Sequence, residues 1–224
     1  MVSVRREPSG SMNAHPRARA ARRLPVIGLT GGVGSGKSIV AAHFERWGGI
    51  IVSGDRIGHD VLTGSADVRR RLARAFGKDV LRGERVRRDL LAARAFADDE
   101  SILRLNAIVH PPLIRQLNRE VRQARRRRDA TAVVIDAALL AEWGIGKIEW
   151  DYLVGIWAPR RLRLRWLKRR GWSEADIRAR MRRQMTWTER RKLVDCVVKN
   201  DGALTLLERR ARHCWQKVVS SFAA

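Results

Sequence analysis

Cysteine is scarce in this chain: two residues, Cys196 and Cys214, among 224. Their spacing fits neither a disulfide framework nor a paired-cysteine metal site, so the expectation is reduced, partly buried thiols in a cytoplasmic protein. Long apolar runs are also missing. No stretch reaches the ~20 residues a membrane-spanning helix needs, so no membrane partner is expected. Acidic residues are few, 23 against 47 Lys and Arg, which leaves a net charge of +24. Lysine is scarce as well: seven of the 47 basic residues are lysine, hence 40 are arginine. Such a balance favours polyanionic partners, RNA among them. The arginines are spread along the chain rather than gathered in one segment, however, which favours solvated helix faces. Nucleic acid is therefore an alternative partner and not the favoured one. The eight tryptophans lie at irregular spacing, which excludes a repeating base-stacking platform and leaves packing roles. The length suffices for one large domain with a proper core.

What is present is concentrated between Val26 and Ser38, Val-Ile-Gly-Leu-Thr-Gly-Gly-Val-Gly-Ser-Gly-Lys-Ser. Gly31, four residues, then Gly36-Lys37-Ser38 is the G-x4-G-K-[ST] phosphate loop. Val26, Ile27 and Leu29 before it read as a buried strand, and Val40, Ala41 and Phe44 after it recur at helical spacing. Glycines at 31, 32, 34 and 36 let the backbone approach a ligand, and the N–H groups form an anion nest at a helix N-terminus. Lys37 would reach the β- and γ-phosphates, and the Ser38 hydroxyl would take a place on Mg²⁺. The chain is thus expected to bind a nucleoside triphosphate.

Around the loop, short apolar runs alternate with helical patterns, so the class is α/β. Residues 1–23 show no apolar periodicity and six arginines against one acid, and read as a disordered basic extension. A true start at Met12 or later is the alternative. Ile50–Val52 reads as a second strand, followed by Asp55. A carboxylate there is either a proton acceptor at the ligand-binding edge of the sheet or a helix N-cap. Residues 61–117 are helical in pattern, and His110-Pro111-Pro112 is expected to break the run. Thr131–Ile135 is a strand ending at Asp136, placed to order a metal's water shell. Tyr152–Trp157 is another. Arg160 to Arg183 is the densest basic region, with Ser173 and Asp176 expected as a capping box. Two arginine-rich helices there suit a phosphate-covering lid or a nucleic-acid-binding helix pair. Val194–Val198 is the last strand, and Leu204 to Phe222 form a closing amphipathic helix.

With these pieces placed, the chain resembles the dephospho-coenzyme A kinases from about Pro25 onward. The likeness rests on Gly28–Ser38, on Asp55 with His59 and Val61, and on Phe76-Gly77, Arg88, Leu91, Phe96, Leu105-Asn106 and His110-Pro111. Asp136-Ala-Ala-Leu-Leu-Ala-Glu142, then Arg165, Arg169 and Gln184, then Asn200-Asp201-Gly202 complete it. The resemblance implies a P-loop kinase of three layers: a five-stranded parallel sheet, a helical substrate-binding insertion at about 60–122, and an arginine-rich lid at about 159–190. It implies phosphorylation of the ribose 3′-hydroxyl of dephospho-coenzyme A by ATP with Mg²⁺, the last step of coenzyme A synthesis. Another small-molecule or nucleotide kinase of this fold is the alternative. Lys37, Asp55 and Arg165 would be catalytic, with Asp55 as general base. Gly32, Val33, Gly34, Ser35, Gly36, Lys37, Ser38, Ile39 and Asn200 would bind ATP. Asp55, Arg88 and His110 would contact the acceptor, and Ser38 the metal. Five positions depart from the family's wording: Ser53 replaces an Asp, Ile39 a Thr, Ala138 a Pro, Ala141 a Phe, and Cys196 after Asp195 a Tyr.

Overall fold

The computed structural model describes residues 23–138, 140–142 and 146–223. Residues 1–22, nearly all of the expected basic extension, lie outside the described residues, as do Leu139 and Trp143.

The fold is built on β1 (Val26–Thr30), whose five residues are all buried. A strand buried on both faces belongs at the centre of a covered parallel sheet. Two parallel strands flank it, β5 (Ala132–Asp136) and β6 (Tyr152–Trp157). The edges are β2 (Gly49–Ser53) and β7 (Cys196–Lys199), which gives the order β2-β5-β1-β6-β7. Side-chain alternation along each strand divides the core in two. Val26, Val133, Ile135 and Leu153 face one layer, and Ile27, Leu29, Val134, Val154 and Ile156 face the other.

The second layer is α1 (Lys37–Arg46) with α9 (Leu204–Ala223). Phe44 sits 4.9 Å from the Trp215 ring, and Trp47 lies 6.4 Å from it, so these tryptophans are packing residues. The first layer is α2 (Gly54–Gly64), α3 (Ala66–Phe76), α4 (Arg88–Ala95) and α5 (Asp99–Ala124). Between α3 and α4, where the sequence reads as helix throughout, a small antiparallel hairpin intervenes. It pairs β3 (Leu81–Arg82) with β4 (Arg85–Val86) around Gly83 at φ 59°. Two-residue strands are too short to carry a periodicity.

The prolines do not break α5. The helix runs 26 residues through Pro111 and Pro112. An interior proline costs about 3 kcal/mol or more. Ile108, Leu113, Leu117 and Val121 are buried on both sides of the pair, and burial of each such side chain contributes about 1.5–3 kcal/mol. Core packing outweighs the local rule.

Beyond β6 come α6 (Arg160–Arg169), α7 (Glu174–Arg182) and α8 (Trp187–Arg191). Ser173 caps α7 through the Asp176 N–H (3.1 Å), but the Asp176 carboxylate accepts from the Ser173 hydroxyl (2.6 Å) rather than from its backbone. The reciprocal capping box lies one helix later, between Thr186 and Glu189.

Candidate active site

The chain leaves β1 at buried Thr30 and turns through Gly31–Gly36 into α1. Gly36, the N-cap of α1, takes φ 93° and ψ 17°, the left-handed region that a side chain disfavours. Buried Asn200 packs against it, and its Nδ2 donates to the Ser35 carbonyl at 2.9 Å. Inside the loop, the Ser35 N–H donates to the Gly32 carbonyl at 2.9 Å, and the Ile39 N–H to the Gly36 carbonyl at 3.0 Å. The N–H groups of Lys37 and Ser38 open the helix and have no intrahelical partner. With the positive end of the helix dipole behind them, they make an anion site. Ser38 is exposed there. The Lys37 ammonium forms an ion pair with the carboxylate of Asp136 at the end of β5.

Asp136 stands in register with Leu29 of β1 on one side and Ser53 of β2 on the other. The carboxyl ends of three strands therefore lie abreast, about 4.8 Å from strand to strand. Ser53 caps α2, its Oγ accepting the Arg56 N–H at 3.2 Å. The capping role that Asp55 could have filled thus belongs to Ser53. Asp55 lies in the first turn of α2, exposed. His59 follows one turn later on the same face. The Arg88 guanidinium, at the start of α4, hydrogen-bonds Nδ1 of His59. Arg88, His59 and Asp55 thus share one edge. His110 is half-buried on α5, one turn before Leu113, which packs on Gly58 of α2. Burial first, and Lys147 second, push its pKa below the usual histidine range, which favours the neutral ring.

On the other side of the loop stand α6, α7 and α8. Arg165 is exposed on α6. Arg163, roughly 200° around the helix from it, touches the loop: its Nε donates to the Val33 carbonyl at 2.8 Å. The Val33 N–H donates to Gln184 Oε1 at 2.7 Å. Next to Gln184, Arg183 lies over the Phe96 ring at 4.5 Å and donates to the Phe96 carbonyl at 3.0 Å. That contact joins the end of α7 to the end of α4.

Sequence reasoning missed Arg190, which is 1% exposed. Its guanidinium donates to the Thr30 hydroxyl, at the foot of the loop, and to the Glu142 carboxylate at 2.5 Å. Glu142 also accepts the Met185 N–H at 3.1 Å. The Thr186-x-x-Glu189 spacing marks the start of this helix in the sequence, but nothing there marks Arg190 as buried.

A five-stranded parallel sheet whose central strand leads into a phosphate loop is the fold of the P-loop kinases. The sequence profile of the dephospho-CoA kinases matches residues 25–205. A dephospho-CoA kinase of Corynebacterium diphtheriae is 40% identical over 196 residues, 87% of this chain and 97% of the relative. One from Mycobacterium tuberculosis is 40% identical over 88% of this chain, which spans only 48% of that longer relative. A crystal structure from Thermus thermophilus superposes with a TM-score of 0.71 at 32% identity, covering 87% of this chain and 97% of the other. The chain belongs to the dephospho-CoA kinase family.

Proposed function

We propose that this protein transfers the γ-phosphoryl group of ATP to the ribose 3′-hydroxyl of dephospho-coenzyme A, releasing coenzyme A and ADP, in the cytoplasm. The observation that carries this reading is the exposed carboxylate of Asp55 on the same sheet edge as the phosphate loop. Asp55 takes the proton of the attacking hydroxyl, which fits a carboxylate without a competing partner among the described residues. As the new bond forms between that oxygen and the γ-phosphorus, the bond to the bridging oxygen breaks and its electron pair leaves with ADP. Lys37 follows the charge on the transferring group. Arg88, His59 and His110, on the α2–α5 side, hold the acceptor. The α6–α8 segment closes over the phosphates as a lid, and the Arg183–Phe96 contact supports closure onto the acceptor side.

Mg²⁺ fits this donor set. The Ser38 hydroxyl and the Asp136 carboxylate are hard oxygen donors at the mouth of the loop, as a phosphate-bound Mg²⁺ requires. When bound, the ion neutralises phosphate charge. Among the described residues, no group of three His, Cys, Asp or Glu forms a cage. That suits an ion held largely by phosphate and water.

The test is ADP release from Mg·ATP with dephospho-coenzyme A, set beside adenosine, AMP, CMP and uridine. Release with dephospho-coenzyme A alone is expected. Preference for another acceptor overturns the reading and makes the protein a different kinase of this fold.

A further inference from the structure

We propose that Arg163 is a catalytic residue, a guanidinium on α6 that meets the transferring phosphoryl group beside the Arg165 expected from the family resemblance. The proposal rests on the kinase reading above and assigns a group within it.

Of the arginines that line the cavity beside the loop, Arg163 alone among the described residues is half-buried without an acid partner. Arg178 pairs with Glu174 and sits on the surface. Arg190 is buried but pairs with Glu142. Arg163 is half-buried and has no acid partner among the described residues. Its one hydrogen bond among them is from Nε to the neutral carbonyl of Val33. Its positive neighbours, Arg190 and Arg160, add to burial in lowering its pKa. A half-buried cation beside cations is costly unless an anion joins it.

The loop is shaped around this group. A Cβ on Gly32 would lie 2.6 Å from Nη2 and 3.0 Å from Nη1 of Arg163, so the guanidinium lies flush on a backbone that only glycine leaves bare. With Nε tied to Val33, the two Nη groups remain as the fork that suits phosphate oxygens. Val33 is gripped from both sides, by Arg163 at its carbonyl and by Gln184 at its N–H. That grip sets where the fork stands relative to the loop. A second, independent observation points to an anion in the same place. Ser35 Oγ is buried and has no hydrogen-bond partner among the described residues. It lines, with Gly32 and Arg163, one cavity of about 400 Å³ between the loop and α6–α8. A buried hydroxyl without a partner is rare in a folded protein and implies a missing group.

The experiment compares wild type, Arg163→Ala and Arg163→Lys in the full chain. The readouts are kcat, ATP affinity, binding of ADP with aluminium fluoride as a mimic of the planar phosphoryl group, and recovery by added guanidinium ion. For Arg163→Ala, kcat should fall on the order of 10²–10³, the usual loss for one preorganised donor. ATP affinity should change by less than tenfold, aluminium fluoride binding should be lost, and guanidinium should restore part of kcat. Arg163→Lys should keep ATP binding and recover little kcat, since an ammonium lacks the fork. A residue that only shaped the loop would show the reverse: weakened ATP binding, little change in kcat and no response to guanidinium. That result, or an unchanged Arg163→Ala, overturns the proposal. Wild type failing to phosphorylate dephospho-coenzyme A fails the kinase reading instead.

Discussion

Replacing Asp55 by Asn is expected to lower the turnover of dephospho-coenzyme A by ~10²–10⁴, the usual contribution of a positioned general base. The fold and ATP affinity should hold, because Asp55 is exposed and Ser53 caps its helix. The substitution is nearly isosteric and removes the carboxylate charge together with the ability to accept a proton. ATP binding and thermal unfolding measured beside turnover separate the chemical loss from a structural one. An Asp55→Asn protein that binds ATP and turns over as fast as wild type would remove Asp55 from the mechanism. The proton would then have to go to solvent or to a phosphate oxygen.

The second large effect concerns stability. Arg190→Ala is expected to destabilise the protein by about 3–5 kcal/mol, the range for removing one partner of a buried ion pair. For a chain of this size that corresponds to a melting temperature lower by roughly 6–20 °C. The cost arises less from the lost attraction than from what remains. The mostly buried Glu142 carboxylate would lose its charged partner and keep the Met185 N–H, and the fully buried Thr30 hydroxyl would lose the Arg190 donor. Replacing both charges, Arg190→Met with Glu142→Leu, should recover much of the loss, because no buried charge is then left alone. If Arg190→Ala costs less than 1 kcal/mol, the network does not hold the foot of the loop. Because Thr30 leads straight into Gly31, a folded Arg190→Ala variant should also bind ATP more weakly.

The two residues show which parts of the site were legible in the sequence. The place of Asp55 after a short apolar run is local, but that place suits a proton acceptor and a helix cap equally, and its proposed role as base comes from the family resemblance. The loop, its strand and its helix are legible because they follow one another in a single short stretch, from Val26 to Arg46. The parallel order of the sheet follows from buried strands alternating with helices. Arg190 is a different case. Its partners lie 160 and 48 residues away, at Thr30 and Glu142, and in the sequence it resembles the other arginines. Its burial is decided only when α8 docks on β6. The same holds for Arg163 against Arg165. Two residues apart on a helix, they face nearly opposite ways, and only docking of α6 onto the loop separates them. In α5, the rule that a helix stops before proline is sound locally. It was overridden by apolar residues on both sides of the pair, whose burial depends on α2 and α3. The Ser53 departure also has a local account: a serine at that position caps α2 and sets the turn that carries Asp55.

The most direct measurement is the identity of the phosphorylated product. The protein is incubated with Mg·ATP and dephospho-coenzyme A, and the product is examined by mass spectrometry and phosphorus NMR. The expected result is one new phosphomonoester on the ribose 3′-oxygen, formed in equal amount to ADP, and none when the 3′-hydroxyl is absent from the acceptor. Phosphate on another oxygen, or ATP consumed while dephospho-coenzyme A remains unchanged, would contradict the assignment of both acceptor and base.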